Sequence, residues 1–449
     1  MTNSSAISPS KDRFKDTKRR WRLRGVTSKA AQFATAPQVL ALADQALVSG
    51  ASFLTTVLIG RSSLPGQLGA YAIATGILIW LVNAQEALIS LPYTIQRSNE
   101  PGRAALQAGQ AWLLAASLSV IAVFGLGIAS FTTLLSERYR DAFPIMLALA
   151  GIAPFVMYRD FARRLAFADL RNFEALILDC AVVPGQLGAL GWLAWTGRLT
   201  STSALVALGF ACAISFIFWC RLVRKRFRLS REGFGDTVRN SWSVGKWLFA
   251  NQILNALQTQ MTLWLVALAV GATATGIYTA CLSIALFANP IILGLKNMLW
   301  AKAARAFQES GGARLLREAI SDAALLGVML GAFCLPLAFW GDEALTLLYP
   351  SNVYGGYGHI VGVLAFSQLL FGISMPAVIA LAGMGLVRLN FLAGAIETAL
   401  LGVVVWLFVF QWGIFGAAYG MLIGCAFRFT FRWTLVVAIL WWRPRLLER

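Results

Sequence analysis

Twelve long apolar stretches, each nearly free of charge, divide this chain from end to end. They lie at about 38–60, 69–92, 106–135, 142–158, 173–196, 202–222, 245–268, 276–299, 318–340, 359–384, 391–411 and 414–438. A run of about 20 apolar residues is what an α-helix needs to cross a bilayer core, whereas membrane strands alternate over about ten residues. Composition agrees. Of 449 residues 58% are hydrophobic and 13% charged, with a mean hydropathy of +0.68. A soluble fold of this size could not hide so much apolar surface. The expectation is an all-α, polytopic integral membrane protein of about twelve transmembrane helices.

The formal net charge of +18 raises the question of nucleic acid, and the placement of the charges answers it. If both termini lie in the cytoplasm, all of the 38 lysines and arginines except Arg61, Arg138, Arg140 and Arg198 fall on or near the inner side. A missed or false span would invert every later loop and destroy that asymmetry, so the count supports both topology and orientation. The arm "KDRFKDTKRRWRLRGVTSK" and the loop "RLVRKRFRLSR" (221–231) then face anionic membrane lipid rather than nucleic acid. The arm lacks a small-residue cleavage site and reads as a cytoplasmic basic segment, not a cleaved signal. The expected organisation is a basic arm (1–37), a six-helix lobe (38–222), a basic cytoplasmic linker (223–244), a second six-helix lobe (245–438) and a cytoplasmic tail (439–449). The longest outer loop, 341–358, is too short to fold an enzyme domain, so no enzymatic role is expected.

The second half echoes the first. Gln45, Gly69 and Tyr71 reappear as Gln252, Gly276 and Tyr278, each 207 residues later. "NFEALILD" (172–179) returns as "NFLAGAIE" (390–397), which makes Asp179 and Glu397 equivalent. Six spans per half is an even number, so the repeats are parallel, and transporters built this way bind substrate between the halves and rock to alternate access.

Span 7 contains "NQILNALQTQ" (251–260), with five carboxamides between apolar flanks. At 3.6 residues per turn Asn251, Asn255, Gln258 and Thr262 form one stripe, which Gln252 and Thr259 widen. Span 1 has a stripe of its own in Gln45, Ser49, Ser52 and Thr56, with Asp44 at its edge. Such groups can bind neighbouring helices together, but long amides at this density suit a water-filled cavity and a hydroxyl-rich ligand such as a sugar. Asp44, Glu86, Asp179, Lys296 and Glu397 lie inside spans, where charge is costly and usually faces a cavity or ion path. The two equivalent acids can carry a proton or sodium, or pair with Arg171 and Arg388. Lys296, Arg428 and Arg432 are expected to snorkel to the headgroups. Arg97, Arg103, Arg159, Arg163, Arg164, Arg171 and Arg388 stand at the inner mouth and Arg61 at the outer end of span 1, where a guanidinium could hold phosphate or diphosphate. His359 is the sole histidine and the six cysteines are unpaired in spacing, so neither metal nor triad chemistry is expected, and there is no P-loop. No cofactor is expected beyond a coupling proton or sodium ion.

The segment "LADQALVSGASFLTTVLIGRSSLPGQLGAYAIATGIL" (42–78) resembles the N-terminal signature of Wzx-type polysaccharide flippases, within the multidrug/oligosaccharidyl-lipid/polysaccharide exporter superfamily. Asp44-Gln45, the Ser49 to Leu54 stretch, Gly60-Arg61 and Gly69-x-Tyr71 carry the likeness, and "IFGAAYGMLIG" (414–424) looks like the last-span motif. The resemblance implies a V-shaped, two-lobed bundle with spans 1 and 7 lining the cleft. It implies transport of undecaprenyl-diphosphate-linked oligosaccharide from the inner to the outer leaflet of a bacterial inner membrane, for O-antigen, capsule or exopolysaccharide. A polysaccharide polymerase and chain-length machinery are the protein partners implied. Gln45, Ser49, Ser52, Arg61, Asn251, Gln252, Asn255, Gln258 and Arg388 are the expected substrate-binding residues. Asp44, Glu86, Asp179, Lys296 and Glu397 are the expected coupling or charge-gating ones. The span 1–2 arginine pattern of the lipid II flippase branch is missing. The main rival is a cation-coupled multidrug exporter of the same superfamily, which needs a dedicated acidic site. A major-facilitator sugar carrier would show a basic, Gly-rich motif where "YTIQRSNEPGR" (93–103) stands, and a polymerase or ligase would need a larger outer loop.

Overall fold

The computed structural model describes residues 37–99, 104–169, 171–223, 234–350 and 352–442. The expected arm before Pro37, the centre of the linker and the tail beyond Trp442 lie outside them. All regular structure among the described residues is helical. Ten helices are long and apolar enough to cross a membrane. The last, Val387–Trp442, breaks at Gly413 (φ 58°) into spans 11 and 12. Outside the ten is Phe234–Ala269, span 7, whose amides lower its hydropathy. Counting both, the chain makes twelve passes in two lobes. Span 7 begins at Phe234, ahead of the expected 245. Its early turns are held where Thr237 Oγ1 donates to Gln110 Oε1 of span 3 at 2.7 Å.

Spans 1 to 6 are Pro37–Ser62, Pro65–Asn99, Ala104–Leu134, Phe143–Ala168, Asn172–Trp195 and Ser201–Val223. Span 2 contains a π-helical turn at Glu86–Ser90. Span 8 starts as Ala272–Ala285 and runs on into the helix Asn289–Phe339, which doubles back at Gly311 (φ 70°) to form span 9. The fold-back is required by the Lys302–Asp322 ion pair at 2.6 Å, because 20 residues of straight helix would separate the two by about 30 Å. Span 10 is Gly358–Gly383.

The outer surface is apolar, as lipid demands. Span 3 turns Val120, Phe124, Ile128 and Phe131 outward at 54–68% exposure, on a face of helical period. In water such a surface would drive aggregation.

The internal repeat is visible in the packing. A Cβ on Gly69 of span 2 would overlap the Ala272 carbonyl and stand 2.8 Å from the Gly276 amide. A Cβ on Gly276 of span 8 would strike the Pro65 carbonyl. Residues 65 and 272, like 69 and 276, are 207 apart, so each half makes on the other the contact that it receives. The pseudo-two-fold axis passes between these glycines, at the end of the bundle opposite the basic loops. That end is further closed by Tyr349, whose ring lies against Gly60 of span 1 and whose hydroxyl shares a 2.8 Å hydrogen bond with Ser283 of span 8. Tyr354 packs on it with ring centroids 5.1 Å apart, and burial lifts the Tyr354 phenol to about 12. Tyr354 is therefore a neutral hydroxyl at any physiological pH.

Candidate functional site

A cavity of about 450 Å³ opens within the second lobe, inside the common range for small-molecule sites of about 300–1,000 Å³. Its polar lining comes from Asn255, Gln258, Thr259 and Gln260 of span 7, Asn289 of span 8, Ser367 and Gln368 of span 10, Glu397 of span 11 and Arg428 of span 12. Asn83 and Ile79 of span 2 reach in from the first lobe. Leu263, Leu364, Phe371 and Leu401 supply apolar wall. Carboxamides and hydroxyls both donate and accept, so the lining matches a ligand that does the same.

Gln258 organises one wall. Its Nε2 donates to Thr398 Oγ1 at 2.8 Å and to the Gly394 carbonyl at 3.2 Å, while its Oε1 accepts from Arg428 at 3.2 Å. Arg428 also donates through Nε to Ser374 Oγ at 3.1 Å, and its guanidinium lies 4.5 Å from the centre of the Phe371 ring. Asn255 is exposed, and its amide donates to Gln252 Oε1 at 3.3 Å. Gln252 in turn donates to Glu86 Oε2 at 3.3 Å, a hydrogen bond between the lobes. Gly76 of span 2 lets Gln260 and Trp264 approach it, and Trp80 and Trp264 pack with centroids 6.1 Å apart.

The first lobe spends its polar residues differently. Arg159, Arg163 and Arg164 project from span 4, the first two one helical turn apart. Arg163 donates through Nε to Asp44 of span 1 at 3.0 Å and lies 3.1 Å from Asp179 of span 5. Arg159 Nε donates to Asp179 at 3.0 Å. Arg164 pairs with Glu86 at 2.6 Å and with Asp160 at 3.4 Å. Asp44 and Asp179 have no solvent-exposed surface. In the second lobe Glu397 is gripped by Arg432 through two donors, and Arg432 also bonds Asn390. Arg428 stands 3.9 Å from Glu397 on the cavity side.

These positions revise several expectations. The chamber was expected between spans 1 and 7, yet no residue of span 1 belongs to this cavity's lining. Span 1 turns the face of Asp44 and Thr55 into its own lobe, while the stripe beside it stays partly exposed and bonds within the helix. Asp44 is taken by Arg163, Thr55 accepts from Gln186 of span 5 at 3.1 Å, and Gln45 donates to Ser49 at 3.3 Å within the helix. Ser52 is exposed, and its carbonyl accepts from Thr56 at 3.0 Å. Asn251, Arg61 and Arg388 are exposed and lie outside the lining. Asp179 and Glu397 pair with neither Arg171 nor Arg388; Arg171 meets Glu174 at 3.3 Å. Arg428 and Arg432 do not snorkel, since each lies beside a carboxylate that holds it in the interior. The Lys296 side chain lies outside the described part of its helix. Of the expected binding residues, the structure brings Asn255 and Gln258 together with Glu397.

Sequence reasoning passed over Asn83, Asn289, Ser367 and Gln368. Each is a polar group in an apolar span, so the argument applied to span 7 could have found them. Span 4 carried a signal as well, since Arg159 and Arg163 share a helical face at the depth of acids on other spans.

No family model matches the sequence, and no curated protein matches it. Solved structures do match, at low identity. An inward-facing multidrug resistance MATE family transporter of the MOP superfamily superimposes with a TM-score of 0.74, at 14% identity over 88% of this chain and 95% of that one. An outward-facing MATE structure gives 0.65, at 13% identity over 89% and 94%. The lipid II flippase MurJ, in an inward closed conformation, gives 0.65, at 13% identity over 88% and 86%. The chain therefore has the two-lobed helical fold of these transporters.

Proposed function

We propose that this chain is a flippase that moves lipid-linked oligosaccharide between leaflets, by rocking its lobes about the Gly69–Gly276 contact. The basic end lies in the cytoplasm of a bacterial cell, and the substrate is undecaprenyl-diphosphate-linked glycan destined for surface polysaccharide. One observation carries the reading: the second-lobe cavity is lined by amides and hydroxyls able to bond sugar hydroxyls. The MurJ likeness, to a flippase by name, is compatible with it.

A drug exporter is the second reading, favoured by the MATE likeness. Cation-coupled export needs a carboxylate open to the ion. Here Asp44, Glu86, Asp179 and Glu397 are each held by arginine, so a coupling cation would compete with a guanidinium, and Asp44 Oδ1, without a hydrogen-bond partner, is the oxygen left open to a proton. That competition counts against a cation-coupled exporter.

The test is Asn255→Leu, which removes an amide from the cavity wall while leaving the Gln258 network alone. Glycan flipping in reconstituted vesicles should fall by about two- to tenfold, the worth of one hydrogen bond, with unchanged thermal unfolding. Undiminished flipping, together with loss of drug efflux, would favour the exporter.

A further inference from the structure

Two amides one helical turn apart on span 7 line the cavity, and they are held in different ways. Gln258 has both ends of its carboxamide engaged within the second lobe, Nε2 by Thr398 and the Gly394 carbonyl and Oε1 by Arg428. Asn255 has one end engaged. Its Nδ2 donates to Gln252 Oε1 at 3.3 Å, and its Oδ1 accepts no hydrogen bond from the described residues.

Which end of an amide is left for a ligand depends on what holds the other end. For Asn255 that is decided in the first lobe. Arg164 presents donors to both oxygens of Glu86, at 2.6 and 2.9 Å, so Glu86 can only accept. Gln252, 3.3 Å from Glu86 Oε2, must turn its NH2 group toward it. Its Oε1 is then the atom that meets Asn255, and Asn255 must give it an N–H. The carbonyl oxygen of Asn255 is what remains for the cavity.

Glu86 and Gln252 are both absent from the cavity lining, so neither acts by touching the ligand there. We propose that Glu86 is a positioning residue that acts through Gln252 to fix Asn255 as a hydrogen-bond acceptor, so that the cavity selects a sugar able to donate at that point. This rests on the glycan reading and narrows its substrate class. A freely turning amide would take a donor or an acceptor, whereas a fixed carbonyl takes a hydroxyl or an amide N–H and refuses an ether or ester in its place. Because Glu86 and Asn255 belong to different lobes, the setting holds only while spans 2 and 7 stay in contact.

The full chain in nanodiscs can be titrated by calorimetry with cellobiose and with each of its monodeoxyfluoro derivatives, in which one hydroxyl becomes a group that cannot donate. At least one derivative should bind about tenfold more weakly than cellobiose, since it leaves the Asn255 oxygen without a donor. Gln252→Leu leaves the Arg164–Glu86 pair in place and should shrink that gap to about twofold or less, because Asn255 can then turn its NH2 to the fluorine. Glu86→Gln should do the same, since its amide can donate to Gln252 and reverse the relay. Adding Asn255→Asp to Gln252→Leu should restore the gap, because a carboxylate accepts whichever way it turns. The gap compares two sugars on one variant, so a smaller folded fraction does not move it, and Gln252→Leu carries the test if Glu86→Gln fails to fold. If no derivative differs from cellobiose, or the gap survives Gln252→Leu or a folded Glu86→Gln, the relay is overturned while the glycan reading stands. Should no saccharide bind the parent protein, the glycan reading falls and the relay with it.

Discussion

Asp179 in the first half and Glu397 in the second occupy equivalent places in the repeat, both are nearly sealed from solvent, and each lies beside two arginines. The arginines come from different places. Span 4 supplies them in the first lobe and span 12 in the second, and those two spans are not repeat mates. In the first lobe the arginines are outnumbered, with Asp44, Glu86, Asp160 and Asp179 around Arg159, Arg163 and Arg164. In the second they are in excess. The first cluster ties spans 1, 2, 4 and 5 together, with Asp44 and Asp179 out of solvent and Glu86 and Asp160 half-buried, whereas the second borders a cavity. Two halves can therefore share a backbone frame and a buried acid while the unshared spans decide how that acid is paired and whether an arginine is left over beside it.

That contrast is most directly broken at Arg163, which serves two buried acids. Arg163→Ala should destabilise the detergent-purified protein by about 3–5 kcal/mol, the usual cost of stranding a buried charge. Arg432→Ala should cost less, because Arg428 is placed to take over Glu397. Thermal unfolding of both variants checks the order, and a larger loss at Arg432 would mean that the two clusters are equally rigid. Adding Asp44→Asn to Arg163→Ala should recover part of the loss, since removing both sides of a buried pair is far milder than removing one, and Asp179 keeps Arg159 as its partner.

The glycine contact gives the complementary test, of what the halves share. Gly69→Val and Gly276→Val each drive a side chain into a backbone carbonyl of the other lobe, and should cost about 1–3 kcal/mol or more. Because the contact is reciprocal, the two losses should agree. Unequal losses in the same melting experiment would show that the axis does not pass between these residues. Smallest of all should be Arg61→Ala and Arg388→Ala, at exposed positions away from the cavity lining and both ion-pair clusters. Their melting temperatures should stay within about 2 °C of the parent, and loss of flipping with either would extend the site beyond the second lobe.

Reading residues in order was enough to see the helical class, the run of spans, the parallel duplication and the unusual polarity of span 7. Each follows from local composition or from a fixed period along one helix. Apolar length sets a membrane span, 3.6 residues per turn sets a stripe, and a repeated motif sets an offset. The same reasoning stops short on span 1. A helical period tells which residues share a face, but not which neighbour that face meets: Asp44, at the edge of the stripe, and Thr55, outside it, face their own lobe.

What only the tertiary structure decided is the pairing of charges and the location of the empty space. Asp44 meets Arg163 across 119 residues of chain, and Glu397 meets Arg432 across 35. Those meetings depend on the depth and rotation of separate helices in the packed bundle. A cavity is likewise what remains after all neighbours have packed. The chain alone dictates what each helix must bury, since hydrocarbon and backbone geometry act locally. Which partner satisfies a buried charge is settled only when the helices come together.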